Sequence, residues 1–147
     1  MEIVTKEDLQ KYLNEGNTVG YVFFWGHRKH KDGISKTCFS QWYKSGFEED
    51  GVFYQTAEHY MMAGKAKLFG DAESFAKVLA SSSPSEAKKI GRSVQGFDEE
   101  VWLRNRFPLV VQANRLKFSQ NPELGDFLVK TGDRILVEAS PVDKIWG

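Results

Sequence analysis

Glu58 and Lys65 lie about two helical turns apart in the segment QTAEHYMMAGKAKLFGD, residues 55–71. On a helix this spacing is about 10.5 Å along the axis and places both side chains on nearly one stripe. The two groups can form a solvated face, because the helix dipole favours a carboxylate near a helix start and most lysines are exposed. They can also be two walls of one pocket, in which a carboxylate exchanges protons and an amine attacks carbon. This segment alone leaves both interpretations open.

The number and spacing of the other reactive residues argue against a metal site, a nucleotide-binding loop and a catalytic triad. His27 and His30 precede Cys38, but an HxxH spacing in a basic loop with one distant cysteine is not a zinc ligand set, so we expect no metal. The chain contains neither a GxGxxG fingerprint nor a Walker loop, and no Ser/His/Asp arrangement stands out. The basic cluster HRKHK, residues 27–31, is either a solvated loop or a phosphate-binding loop, for which one arginine or lysine suffices.

The composition describes one ordinary domain with an unusual share of aromatic residues. The 147 residues can bury a core without disulfides, and 20 basic residues balance 20 acidic ones, so no global field favours nucleic acid or a membrane surface. The single cysteine, Cys38, fits a reducing compartment. Without a signal-peptide pattern or a membrane-spanning run, the expected location is the cytoplasm. Aromatic residues make up 14%, and they can build a core or line a pocket for planar groups.

Local patterns predict the elements that must position these groups. β-branched and aromatic runs indicate strands, and capping residues indicate helix starts. The first half is predicted to contain a helix from Thr5 to Leu13, a strand at 19–25, an irregular stretch at 26–51, a short strand at 51–55, a helix capped by Thr56 and a helix at about 71–80.

The second half carries clearer helix signals. Ser83 caps, Pro84 takes the first helical position and Glu86 completes a capping box, while Gly91 can end that helix. A helix capped by Asp98 follows, in which Pro108 forces a kink or a restart. The next helix begins at Asn121-Pro122 and ends near residues 131–132, and RILVEAS, residues 134–140, is predicted to be a buried strand. We expect one α+β domain in which helices dominate and the strands are few and short.

Several motifs identify a resemblance. Residues 39–71, FSQWYKSGFEEDGVFYQTAEHYMMAGKAKLFGD, contain a serine-aromatic segment, an Asp-Gly pair and a T-x-E-H-Y-x-x-A-x-K helix. AKKIGR, VWLRNR, NRLKFSQNPEL and LVEASPVDKIWG follow, the last with a D-x-x-W-G ending. Together they resemble the NADAR, or YbiA-like, family over roughly residues 20–147.

The sequence departs from that family's pattern at two points. Gln55 stands where the family usually has proline. Family members also continue past the Trp-Gly pair into a loop containing glycine and asparagine and a last helix, so we expect residues 1–147 to be one NADAR domain that lacks these parts.

The resemblance implies an N-glycosidase that needs no cofactor. Activities associated with the family are hydrolysis of phosphoribosylamine-type intermediates of riboflavin synthesis and removal of ADP-ribose from guanine. Lys65 matches the family lysine and is the expected nucleophile, through a Schiff base with the ribose carbon. Glu58 and Asp143 are the expected acid/base or hydroxyl-holding carboxylates. We expect them in one cleft formed by residues 39–42, the Thr56 helix and residues 143–146.

The resemblance also implies how substrate is held. Trp102 and Trp146 are expected to stack on the base or the sugar, Arg28 and Arg92 to bind phosphate, and Lys67 to be solvated or to face phosphate. The full expected substrate-binding set is Ser40, Trp42, Tyr60, Arg28, Arg92, Trp102, Trp146 and Gly147.

Three classes of function remain open at this level. The favoured one is an enzyme, a monomer that acts on a small ribosyl-phosphate or ADP-ribosyl substrate, with ADP-ribosylated nucleic acid as an alternative carrier and no membrane partner. The second is a non-catalytic reader of ADP-ribose or a nucleotide, which explains the aromatic residues and the basic loop equally well. The third is an interaction domain, in which Glu58 and Lys65 would lie on an exposed face.

Overall fold

One helix forms the centre of the fold. A computed structural model of the chain describes residues 14–15, 21–24, 36–132 and 135–138. Within these residues the central helix contacts three of the other helices, so it is surrounded on several sides. The helices are α1 (Ala57–Leu68), α2 (Ala72–Ala80), α3 (Pro84–Gly91), α4 (Glu99–Gln120) and α5 (Pro122–Val129), and a 3-10 helix covers Lys36–Phe39. The predicted helix at Thr5 to Leu13 lies outside the described residues.

Two pairs of short strands complete the described structure. β1 (Tyr21–Phe24) pairs in parallel with β4 (Ile135–Glu138), so segments from opposite ends of the chain lie side by side. β2 (Phe47–Glu49) and β3 (Val52–Tyr54) form an antiparallel hairpin. Asp50 and Gly51 connect them with φ of 53° and 81°, the left-handed conformations that an Asp-Gly turn supplies. The predicted α+β class with dominant helices is confirmed.

The start of α1 is fixed by a buried polar network. The Thr56 hydroxyl oxygen accepts a hydrogen bond from the His59 backbone N–H at 3.1 Å, as predicted for the cap. The His59 ring joins Thr56 Oγ1 (2.8 Å) to the Ser81 carbonyl (3.2 Å). Because a carbonyl can only accept, Nε2 donates to Ser81 and Nδ1 accepts from the threonine hydroxyl. Burial lowers the pKa of His59, which favours this neutral form and ties α1 to the end of α2.

The predicted caps at Asp98 and Ser83 are present, with one difference, whereas Asn121 makes no side-chain cap hydrogen bond at the start of α5. Asp98 accepts from the Val101 N–H at 3.1 Å at the start of α4. Ser83 accepts from the Glu86 N–H at 3.1 Å, but the Glu86 carboxylate reaches the Ser82 N–H at 3.4 Å instead of the Ser83 N–H. Only one half of the predicted capping box is therefore made.

Two local predictions need correction. The helix does not restart at Pro108, because α4 runs unbroken from Glu99 to Gln120 and its packing against α1 outweighs one missing backbone hydrogen bond, whereas a kink at Pro108 stays a prediction. The stretch predicted as irregular contains both the 3-10 helix and β2. Runs of three or four residues carry too little periodic signal to be seen in sequence.

α3 ends at Gly91, as predicted, but Gly91 does not adopt the positive φ of a glycine that caps a helix. The packing of α3 against α1 gives another reason for a glycine at this position. A Cβ added at Gly91 would lie 3.0 Å from Met62 Cγ and closer still to its Sδ. The glycine therefore gives α3 room to approach α1.

The core has two parts. The larger one surrounds α1, and the smaller one joins the 3-10 helix to α5. The buried members of the larger part are Phe47, Tyr54, Ala57, Tyr60, Met61, Met62, Ala63, Val78, Ala87 and Ala113, and those of the smaller part are Cys38, Phe39, Tyr43 and Leu124.

Within the described residues, no helix combines the length and the apolar character needed to cross a bilayer.

Gly91→Ala should destabilise the protein. Alanine normally stabilises a helix relative to glycine by about 0.5–1 kcal/mol, but overpacking a core costs about 1–3 kcal/mol, so the clash with Met62 should win. Thermal unfolding should show a lower midpoint for Gly91→Ala than for wild type. Ser93→Ala, at an exposed position, is the control. In a Met62→Ala background the effect of Gly91→Ala should shrink, and an equal effect in both backgrounds would contradict this account.

Candidate active site

Glu58, Met62 and Lys65 form one stripe along α1, at positions i, i+4 and i+7. Glu58 is 7% exposed and Met62 is equally buried, whereas Lys65 is partly exposed. The predicted stripe therefore faces the protein interior at one end and reaches solvent at the other. An interaction domain with this stripe as an exposed face does not fit the burial of Glu58.

Aromatic rings surround the Lys65 amine. Its Nζ lies 4.5 Å from the centroid of the Phe97 ring and 5.3 Å from that of Trp102. Phe69 packs edge-on against Phe97, with centroids 5.5 Å apart and an interplanar angle of 66°. Phe97 nevertheless remains 47% exposed, so a flat, partly open aromatic surface lies beside the amine.

The environment of Lys65 lowers its pKa. Burial is the largest cause, the charge of Arg92 acts in the same direction, and the charge of Glu58 opposes both. The neighbouring rings also favour the charged ammonium. The net lowering enlarges the fraction of neutral amine at a given pH, and only the neutral amine can attack carbon.

Residues 40–42 lie against the first turn of α1. The Gln41 carbonyl accepts a hydrogen bond from the Glu58 N–H at 3.0 Å, and the Ser40 side-chain oxygen accepts one from the Trp42 N–H at 3.2 Å. The Trp42 ring centroid lies 5.8 Å from Lys88 Nζ on α3. The structure thus brings two of the three predicted cleft segments together.

The remaining predicted site residues fall into three groups. Tyr60 lies in the larger part of the core, and its hydroxyl donates to Glu49 at 2.9 Å; burial and this hydrogen bond both raise the pKa of Tyr60 above the ordinary range. Arg92 and Lys67 are exposed, at the end of α3 and near the end of α1. Arg28, Asp143, Trp146 and Gly147 lie outside the described residues, so their roles stay predictions.

Phe97 borders the Lys65 amine and was not among the residues predicted from sequence. Asp98 is the N-cap of α4, which puts Phe97 just before the cap and Trp102 four residues into the helix. This spacing is that of a hydrophobic staple, in which the two apolar residues fix the entry of the chain into the helix. The staple pattern was therefore a usable signal for pairing Phe97 with Trp102.

Metal-binding residues do not cluster in the described part of the chain. No group of three or more histidine, cysteine, aspartate or glutamate side chains is placed to hold an ion there. Cys38 is buried, and burial raises the pKa of its thiol.

The NADAR domain family model matches residues 23–147. The chain belongs to the NADAR family. It is 46% identical over 132 residues to an N-glycosidase of Acanthamoeba polyphaga mimivirus, across 86% of this chain and 76% of the viral protein. It is 35% identical over 109 residues to the chloroplastic riboflavin biosynthesis protein PYRR of Zea mays, across 68% of this chain and 18% of the longer plant protein. The NMR structure of the E. coli protein YbiA matches with a TM-score of 0.71 and 27% identity, over 88% of this chain and 74% of YbiA.

These matches confirm the predicted family and fold. They also place the lysine-bearing helix inside the matched range, since α1 lies within residues 23–147. The NADAR motif T-x-E-H-Y-x-x-A-x-K can now be interpreted in three dimensions. Its threonine and histidine build the buried network at the start of α1, and its glutamate and lysine form the stripe.

Changing the charges around Lys65 should move its pKa in opposite directions. Removing the Arg92 charge in Arg92→Gln should raise the pKa, and removing the Glu58 charge in Glu58→Gln should lower it further. NMR titration of ¹³C-methylated lysines, with the Lys65 signal assigned by its loss in Lys65→Arg, measures both. Arg115→Gln removes an exposed cation farther along α4 and should leave the Lys65 titration unchanged. Shifts of the same sign in the Arg92 and Glu58 variants would contradict the assignment.

Proposed function

We propose that the chain is an N-glycosidase that hydrolyses the bond between ribose C1 and a nitrogen atom, with Lys65 as nucleophile. The observation that carries this proposal is a partly buried amine of lowered pKa, bounded by two aromatic rings and within the field of a buried carboxylate. The 46% identity to a viral protein named as an N-glycosidase supports the same activity. A purely binding function has no need for an amine whose charge is destabilised.

The reaction can be written with the chain's own groups. The neutral Lys65 amine attacks ribose C1, and the C1–nitrogen bond breaks as the leaving nitrogen takes its electron pair and a proton from an acid. The lysine nitrogen loses a proton, and the C1–O bond of the ring breaks as the ring oxygen takes its electron pair and a proton, which gives a Schiff base. Water then adds to C1 and the amine departs, which releases ribose phosphate or ADP-ribose and restores Lys65. The net change is one water consumed and one C1–nitrogen bond cleaved.

Glu58 is the proposed carboxylate partner among the described residues. It lies at the buried end of the stripe, where it can exchange protons or hold a ribose hydroxyl. Its negative charge also stabilises the positive charge that develops at C1 during cleavage. Asp143 remains the second proposed carboxylate.

The aromatic surface supports a substrate with a planar leaving group. Phe97 and Trp102 lie next to the amine that must reach C1, so a base attached to C1 can stack on one of them. Arg92 and Arg28 are the proposed phosphate partners. We propose a small ribosyl-phosphate or ADP-ribosyl compound as substrate, with ADP-ribosylated nucleic acid as the alternative carrier. The match to a riboflavin biosynthesis protein supports a ribosylamine intermediate, although it covers 18% of that protein.

Lys65→Ala and Lys65→Arg should both abolish turnover. Alanine removes the amine, and the guanidinium of arginine stays protonated and cannot attack carbon. Single-turnover release of free base from ribosylated guanine measures the loss, and borohydride reduction followed by mass spectrometry should detect the ribosyl adduct on Lys65 of the wild type only. Because the amine acts in the covalent step, the maximal rate should fall more than substrate affinity.

Lys67→Ala is the matched control for these variants, since Lys67 is exposed on the same helix. It should retain wild-type rates and the Lys65 adduct. Near-normal rates in Lys65→Arg would remove Lys65 as the nucleophile and leave direct attack by water with Glu58 and Asp143. A wild-type protein that binds the substrate but neither releases base nor forms the adduct would be a reader instead of an enzyme.

Phe97→Ala should weaken the reaction selectively for substrates with a planar base. Loss of one stacking surface costs about 1–3 kcal/mol, or about 5- to 150-fold in kcat/KM. The loss should be smaller for a ribosylamine whose leaving group is aliphatic, and Phe97→Tyr should retain most of the rate. Phe53→Ala, which removes another exposed phenyl ring from the β2–β3 hairpin, is the control. An equal loss on both substrate types would show that the ring does not stack on the base.

A further inference from the structure

Lys117 is a fully buried lysine that the proposed chemistry does not use. It lies on α4, its side chain is 0% exposed, and its Nζ donates hydrogen bonds to the backbone carbonyls of Cys38 and Ser40, the latter at 2.9 Å. The rings of Tyr43 and Phe118 lie 5.7 Å and 5.2 Å from the same nitrogen. Substrate cannot reach an amine enclosed in this way, so Lys117 acts through the segment it binds.

The segment that Lys117 binds, residues 38–41, also contacts the first turn of α1. Gln41 follows Ser40 directly, and its carbonyl accepts the hydrogen bond from the Glu58 N–H at 3.0 Å. Asn114, one turn before Lys117 on α4, donates from Nδ2 to Gln41 Oε1 at 3.2 Å. Two α4 side chains therefore hold this segment, Lys117 through the carbonyls of Cys38 and Ser40 and Asn114 through the Gln41 side chain.

Burying the Lys117 ammonium to make these hydrogen bonds costs free energy. Burial lowers the pKa of Lys117 to about 8, which measures how strongly the interior disfavours its charge. Taking an ammonium out of water costs free energy that its hydrogen bonds only partly return. Its directed hydrogen bonds to two carbonyls offer something that an apolar side chain does not, namely a fixed position for the backbone.

We propose that Lys117 and Asn114 are positioning residues for the active site, which fix residues 38–41 so that the Gln41 carbonyl meets the Glu58 N–H and Trp42 keeps its place relative to α1. Lys117 sets the backbone through Cys38 and Ser40, and Asn114 sets the Gln41 side chain. This inference rests on the proposed N-glycosidase function for its effect on rate. It also predicts a change at Glu58 that can be measured without any substrate.

The test compares Lys117→Met and Asn114→Ala with two matched controls. Methionine keeps the apolar stem and removes the ammonium, and Arg115→Met removes an exposed cation from the same helix. Gln112→Ala breaks another side-chain hydrogen bond from α4, the one to Glu49 at 3.0 Å, and does not involve residues 38–41. Circular dichroism and thermal unfolding establish that each variant is folded.

Folded Lys117→Met and Asn114→Ala should lower kcat about 10- to 100-fold while KM changes much less, because misplacing a reacting group by about 1 Å has effects of this size. The ¹⁵N–¹H signal of Glu58 should shift in both variants, because the Glu58 N–H donates to the Gln41 carbonyl. Both controls should retain wild-type kcat and an unchanged Glu58 signal.

Each outcome separates the two proposals. Wild-type kcat and an unchanged Glu58 signal in both variants would overturn the positioning role and leave the glycosidase intact. Equal losses in Gln112→Ala would also overturn it, because the effect would then be general. If the wild type neither releases base nor forms the borohydride-trapped adduct, the function fails, and the Glu58 signal still decides the positioning role. If Lys117→Met does not fold, Asn114→Ala decides alone.

Discussion

The structure depends on the burial of the first two turns of α1. Every residue from Ala57 to Ala63 is buried, and these residues include Glu58 and His59. Polar groups taken from water must find partners inside, because an unmade hydrogen bond costs more than a made one contributes. In the described part of the chain, no buried side-chain nitrogen or oxygen lacks a hydrogen-bond partner. The His59 ring, the Tyr60 hydroxyl and the Glu58 N–H find such partners in the Ser81 carbonyl at the end of α2, in Glu49 on β2 and in the Gln41 carbonyl.

This constraint explains why the motif of α1 serves both folding and chemistry. Thr56 and His59 close a network with the Ser81 carbonyl that fixes where the helix begins and how it meets α2. Once the start is fixed, the helical repeat determines where Glu58 and Lys65 point. Gly91 allows α3 to approach Met62 between them, so the stripe is enclosed at its middle and open at the Lys65 end.

Two lysines with lowered pKa values have different proposed roles because a substrate can reach only one of them. Burial is the main cause of the lowering for both Lys65 and Lys117. Lys117 is enclosed and bonded to backbone carbonyls, whereas Lys65 is partly exposed beside an open aromatic surface. A lowered pKa alone therefore does not identify a nucleophile. The amine must also be reachable by a substrate, and in the described structure Lys65 meets both conditions.

The sequence by itself determined the family, the fold class, the caps at Thr56, Ser83 and Asp98, and the pairing of Glu58 with Lys65 on one stripe. Each of these depends on residues close together in the chain or on a long, specific motif. Only the tertiary structure decided that the stripe is buried at Glu58, that Phe97 borders Lys65, and that Lys117 binds the carbonyls of residues 38 and 40. These features join segments far apart in sequence, and neither helical periodicity nor capping carries information about such contacts. Gly91 illustrates this limit of prediction from sequence, because its role depends on the packing of two helices and not on its own backbone conformation.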